Sequence, residues 1–213
     1  MSSALIVIDM QRDFCAPGGY ADQAGLEIGR LRAPIPAISR LLDSARAQGL
    51  LVVHTREGHR PDLSDLHESK RRRAEQAGAP IGARGPLGRL LVRGEYGHDL
   101  IDELRPLAGE PVIDKPGYSA FAYTDLDLLL RRRGIGHLVL CGVTTEVCVS
   151  STLRAGVELG YACTLVSDAC GSPSAELHAA ALAMVAVEGG LFGRVLDSRS
   201  VLAEWEENPV SYT

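Results

Sequence analysis

The 213-residue chain has 46% hydrophobic and 23% charged residues, the balance of a packed globular core, and its length suits one large domain. A formal net charge of −5 argues against a nucleic-acid partner, which favours a basic face. No apolar run approaches the ~20 residues that span a bilayer, and no basic segment precedes the first apolar run, so neither a membrane span nor a signal peptide is expected.

Along the chain, short apolar runs alternate with helical patterns. Residues 4–9 are apolar on both faces, as a central strand of a parallel sheet should be. Ile38, Leu41, Leu42 and Ala45 recur at helical spacing, which predicts a helix over 36–48 with Gly49 as its stop. Residues 50–55 read as the second strand. From 56 to 97 the pattern breaks down among prolines and glycines, and the segment reads as a long irregular loop, a pocket wall or an oligomer contact. Within it, most of the run Lys70-Arg71-Arg72-Arg73 reads as solvated surface, with a single arginine folded back onto a substrate as the lesser reading.

Regular structure then resumes. A short helix is expected over 99–104 and a strand over 111–114. A helix follows over 124–133, with Thr124 as N-cap and Gly134 closing it. Strands at 137–142, 162–167 and 194–196 alternate with helices at 145–159 and 175–187. The fold class is therefore α/β, a three-layer α/β/α domain with a five- or six-stranded, mostly parallel sheet.

Five cysteines (Cys15, Cys141, Cys148, Cys163, Cys170) form neither CxxC pairs nor a disulfide ladder, which points to free thiols and a cytoplasmic setting. In such sheets ligands bind beyond the carboxyl ends of the strands. Three chemically capable residues fall there: Asp9, Lys115 and Cys148. With Thr145 as a cap, Cys148 lies in the first turn of a helix, where free N–H groups and the helix dipole favour a thiolate. Lys115 would stabilise that thiolate, and Asp9 would take and return a proton. The expected reaction runs through a cysteine acyl-enzyme and cleaves a small C–N amide bond.

The segments Ile6-Val7-Ile8-Asp9-Met10-Gln11-Arg12-Asp13-Phe14, Asp114-Lys115-Pro116 and Cys141-Gly142-Val143-Thr144-Thr145-Glu146-Val147-Cys148-Val149 resemble the isochorismatase-like cysteine hydrolases over residues 4 to 200. The resemblance implies a catalytic triad at Asp9, Lys115 and Cys148. It also implies a cis peptide at Val143–Thr144 and an oxyanion hole from the N–H groups of Thr144 and Cys148. The family is often dimeric or tetrameric, which implies a homo-oligomer.

Within the family, His54-Thr55-Arg56-Glu57-Gly58-His59-Arg60-Pro61-Asp62-Leu63 and Glu188-Gly189-Gly190-Leu191-Phe192-Gly193 resemble biuret hydrolase and its relatives. That resemblance implies a urea-type substrate such as biuret or triuret and release of ammonia. Tyr118 and Glu188 depart from the biuret hydrolase pattern, where lysine and glutamine stand. Tyr118-Ser119-Ala120-Phe121 is similar instead to ureidoacrylate amidohydrolases; a nicotinamidase, an N-carbamoyl amidase or a non-catalytic binding module of the same fold are further readings. Phe14, Tyr118, Phe121 and Glu188 are the candidate substrate-binding residues. Nicotinamidases of this family bind a metal near the positions of Glu57 and His59. Glu57, His59, Asp65 and His67 do not complete that ligand set, so no metal or other cofactor is expected.

Overall fold

The computed structural model describes residues 2–207. Six parallel strands form the central sheet: β1 (Ser2–Ile8), β2 (Leu51–Glu57), β3 (Val112–Lys115), β4 (Ile135–Val143), β5 (Ala162–Gly171) and β6 (Arg194–Leu196). Their spatial order is β3-β2-β1-β4-β5-β6. The chain thus builds outward from β1 in one direction, then crosses back and builds outward in the other. The crevice between β1 and β4 is the point of reversal, where such sheets bind ligands.

The main helices are α1 (Ile35–Ala47), α2 (Glu68–Gln76), α3 (Leu126–Arg132), α4 (Ser150–Glu158), α5 (Ala175–Val185) and α6 (Ser198–Glu207). Alternation along β1 builds two cores at once. Leu5 and Val7 face a layer containing Ile38, Leu41 and Leu42 of α1 and Val201 and Trp205 of α6. Ala4, Ile6 and Ile8 face the opposite layer, with Leu126 and Leu130 of α3 and Leu153 of α4. Both faces of β1 are dry, which accounts for its unbroken apolar run.

Several elements depart from the sequence expectation. The 56–97 segment is not irregular throughout: it contains α2 and a tight antiparallel hairpin pairing Arg84 with Arg89. Glycines and prolines flank α2 and mask a nine-residue helix that is almost entirely charged. Asp125 rather than Thr124 directly precedes α3, but the Thr124 hydroxyl still serves its first turn, accepting the Leu126 N–H at 3.3 Å while donating to the Ala120 carbonyl. The helix expected over 145–159 opens as a wide π-helical turn at Thr145–Val149 and becomes α-helical only at Ser150. Helix α6, not expected from the sequence, packs against α1.

At the β1/β4 crevice a backbone requirement is visible. Gly142 has φ +114°, and a side chain there would run into the backbone of Ile8, its register partner on β1. Only glycine permits this approach. The following Val143–Thr144 peptide is cis, as the family resemblance implies.

Candidate active site

Asp9 follows β1 with φ 51° and is completely buried. Its backbone N–H donates to the carbonyl of Thr55 at 3.2 Å, and the Thr55 hydroxyl donates to Asp9 Oδ1 at 2.6 Å. Lys115 ends β3, also completely buried, with Nζ 2.7 Å from Asp9 Oδ2. Lys115 Nζ further donates to the Gly117 carbonyl at 3.1 Å and stands 3.7 Å from Glu57 Oε2. Cys148 lies in the wide turn after β4, and its thiol donates to Glu57 Oε2 at 3.1 Å. The sequence-predicted trio is thus brought together at the ends of three strands. Thr145 does not cap the helix; its hydroxyl pairs with His178 Nδ1 at 2.8 Å instead.

A fourth residue, Glu57, belongs to the same cluster. It ends β2, where Gln11 holds its backbone at both ends: Gln11 Nε2 donates to the Glu57 carbonyl and Gln11 Oε1 accepts from the Glu57 N–H. Its side chain turns toward Cys148 and away from the loop histidines. His59 Nδ1 pairs with Asp65 at 3.1 Å and the His67 ring packs on Tyr123, so Glu57, His59, Asp65 and His67 do not converge. Oxygen and sulfur atoms of Asp9, Glu57 and Cys148 do lie within 4.8 Å of one another. The Lys115 ammonium already supplies the positive charge they face.

Most of the Lys70–Arg73 run is solvated, as expected from sequence: Arg71 is half-buried and Arg72 and Arg73 are exposed, and Lys70 is the exception. The run lies on α2, and Lys70 is 7% exposed with Nζ 2.6 Å from Glu57 Oε1. Arg73 Nη2 donates to the Tyr118 hydroxyl at 3.3 Å. The run's dense charge resembles a solvated face, and only the fold reveals that one lysine faces inward.

Burial shapes the electrostatics. It pushes the Cys148 thiol well up, against the opposing pull of the Lys115 ammonium. It likewise raises Asp9, although Lys115 pulls the other way. Burial would raise Glu57 too, but Lys70 and Lys115 together hold it below the usual carboxylate range. Burial opposes the charge of Lys115, yet Asp9, Cys148 and Glu57 outweigh it and raise its pKa. The resting state is therefore a protonated thiol beside two lysines and two carboxyl groups of different basicity.

A cavity of about 390 Å³ opens over Cys148. Its walls are largely apolar, with Phe14, Tyr20, Tyr118 and Leu177 among them, and Glu57, Lys70, Arg73 and Glu146 are its charged groups. Thr144 lines it as well, and both Thr144 Oγ1 and Glu146 Oε2 are buried without a hydrogen-bond partner among the described residues. Of the four candidate substrate-binding residues, Phe14 and Tyr118 line this cavity. Phe121 does not: it stacks on Tyr161 at 5.7 Å between ring centroids and packs in the α3/α4 core. Glu188 does not either; it is exposed at a positive-φ kink beyond α5. Both were expected from local sequence likeness, which carries no information on which way a side chain turns. The other four cysteines are buried and free, and the isolated Cys15 thiol is pushed by burial up to about 12.

The isochorismatase domain model matches residues 3–200. The chain belongs to the isochorismatase family. Among curated isochorismatase-family relatives, ureidoacrylate amidohydrolase RutB of Azorhizobium caulinodans is 35% identical over 211 residues, covering 95% of this chain and 91% of the relative. Its counterpart from Serratia proteamaculans is 39% identical over 175 residues, 78% of this chain and 68% of the relative. Among solved structures, a cysteine hydrolase from Pseudomonas syringae superposes with a TM-score of 0.82 at 29% identity, covering 96% of this chain and 92% of that one. Among the described residues, no helix is long and apolar enough to cross a membrane.

Proposed function

We propose that this isochorismatase-family protein is a cysteine amidohydrolase that cleaves the terminal C–N bond of a ureido acid and releases ammonia. The observation that carries the reading is the thiol of Cys148 at the floor of the cavity, beside the Asp9–Lys115 pair. The Cys148 sulfur attacks the ureido carbonyl carbon while its proton passes to Asp9, whose raised pKa makes it the more basic of the two carboxylates. Negative charge then develops on the carbonyl oxygen, with the N–H groups of Thr144 and Cys148 as its donors. Asp9 returns the proton to the departing amine, which leaves as ammonia. Water, activated by Asp9, hydrolyses the remaining thiocarbamate to a carbamate and the free thiol.

Substrate class follows from the cavity walls. Glu146 Oε2 and Thr144 Oγ1 lack partners among the described residues and suit the N–H groups of a ureido moiety. Arg73 borders the cavity and has no carboxylate partner among the described residues, so it suits a substrate carboxylate. The ureidoacrylate-type relatives support the same reading. It therefore replaces biuret or triuret, the first expectation from sequence. The carboxylates of Glu57 and Glu146 favour N–H-rich ligands, and this keeps biuret and triuret as the second reading, since neither carries a carboxylate for Arg73.

The test is ammonia release from ureidoacrylate, N-carbamoyl amino acids, biuret, triuret and nicotinamide. The expected result is turnover of ureido acids, abolished in Cys148→Ala, with Arg73→Gln raising KM for the carboxylated substrates alone. Full turnover by Cys148→Ala would overturn the nucleophile assignment. Preference for biuret or triuret, unaffected by Arg73→Gln, would establish the second reading.

A further inference from the structure

Helix α2 carries six charged residues in nine, and the helix buries only Lys70 and Ala74. Lys70 makes three inward contacts from this otherwise solvated helix. Its Nζ lies 2.6 Å from Glu57 Oε1, donates to the Pro116 carbonyl at 2.7 Å, and sits 5.0 Å from the centre of the Tyr118 ring. The two oxygens of Glu57 are thereby divided: Oε1 faces Lys70, while Oε2 accepts the Cys148 thiol and faces Lys115. Pro116 directly follows Lys115, so Lys70 also ties α2, one wall of the cavity, to the loop that leaves the other lysine.

We propose that Lys70 is a positioning residue that fixes the Glu57 carboxylate against the Cys148 thiol and balances the charge of the nucleophile's cluster. This rests on the reading of Cys148 as nucleophile and adds a residue to it. The buried cluster holds two carboxyl groups, Asp9 and Glu57, and two ammonium groups, Lys115 and Lys70. Every element packed around the thiol contributes: Asp9 after β1, Glu57 at the end of β2, Lys115 at the end of β3, Glu146 in the thiol's own turn, and Lys70 from α2. Tyr20, Tyr118 and Arg73 border the same cavity. Without Lys70, two carboxylates share a single ammonium, and removing a proton from the cluster becomes harder at every step.

The experiment is alkylation of Cys148 by iodoacetamide in the full-length protein as a function of pH, read by mass spectrometry at that cysteine. In Lys70→Met, the midpoint of alkylation is expected to rise by about one pH unit or more, the shift that follows loss of one opposite charge at close range. The kcat for the substrate should fall at least tenfold while KM changes little, because Lys70 acts through Glu57. In the double variant Glu57→Gln/Lys70→Met the pair is removed together, leaving Asp9 and Lys115 balanced. Its midpoint is expected to return toward that of the unaltered protein. A Lys70→Met profile superimposable on the unaltered one overturns the proposal, as does a double variant no closer to it than Lys70→Met. If Lys70→Met alone fails to fold, the double variant is compared with Glu57→Gln, which keeps both ammonium groups and one carboxylate: a higher midpoint in the double variant supports the charge-balancing role of Lys70, and equal midpoints overturn it. Alkylation needs no substrate, so this outcome is separable from that of the proposed amidohydrolase activity.

Discussion

At the scale of single residues, the cluster depends on groups that never reach the thiol. Thr55 is one. Its hydroxyl donates to Asp9 Oδ1 at 2.6 Å, and its carbonyl accepts the Asp9 N–H. Asp9 therefore spends one oxygen on Thr55 and the other on Lys115. Thr55→Val keeps the shape and removes the donor. A hydrogen bond to a charged group contributes ~1.5–3 kcal/mol, so kcat is expected to fall about 10- to 100-fold with KM little altered. Unchanged kcat in Thr55→Val would show that Lys115 alone orients Asp9. Asp9, Lys115 and Cys148 were legible in the sequence because strand ends and a specific motif mark them. Thr55, Glu57 and Lys70 were not. Their importance lies in contacts 13 to 91 positions away along the chain, which no local pattern encodes.

At the scale of elements, apolar runs located the strands of the sheet, because the central stretches of β1, β4 and β5 are buried on both faces. Helix α2 escaped for the opposite reason. Of its nine residues Glu68–Gln76, only Ala74 is apolar, so it lacks the stripe by which a helix announces itself. It is held instead by the Lys70 contacts and by its loops. The β1/β4 crevice shows how an element's backbone sets the chemistry. Gly142 lets β4 approach Ile8, the residue before Asp9, and leads directly into Val143 and Thr144. Gly142→Ala adds a methyl against the Ile8 backbone at a positive φ. Overpacking and backbone strain each cost about 1–3 kcal/mol. The variant should lose ~3 kcal/mol or more by urea denaturation, or fail to accumulate as folded protein. A stability within 1 kcal/mol of the unaltered chain, on the scale where about 0.5 kcal/mol is typical of a neutral surface change, would show that the two strands can separate here.

At the scale of the whole molecule, buried histidines link stability to pH. Burial lowers the pKa of His54, His59, His98, His137 and His178, with His98 pushed down to about 4. The settings explain the direction. His137 lies between the hydroxyls of Ser3 and Thr164 and His178 meets the Thr145 hydroxyl, none of which offers a negative charge to an imidazolium. His59 and His98 each keep a buried Nε2 with no hydrogen-bond partner among the described residues. In the unfolded chain these rings take a proton near pH 6.5, and in the folded chain only at lower pH. Below about 6.5 the unfolded state therefore binds more protons, and stability falls as the pH falls. For His98 the loss is complete only near its folded value of about 4.

Asp13 works in the opposite direction. Burial raises it to about 6, against the Leu91 and Tyr20 N–H groups that favour its charged form. Its folded form holds a proton that the unfolded form has already released, so between pH ~4 and 6 acid favours folding through this residue. Asp9 has the same sign. Five histidines against two aspartates give a net loss of stability on acidification from neutrality. The midpoint of urea unfolding should accordingly drop between pH 7 and pH 5. His98→Gln, which removes the most depressed of these rings, should flatten that slope while leaving the neutral-pH alkylation of Cys148 unchanged. A midpoint independent of pH over this range would mean that the raised aspartates fully offset the histidines. A slope unaltered in His98→Gln would place its origin in the other four rings.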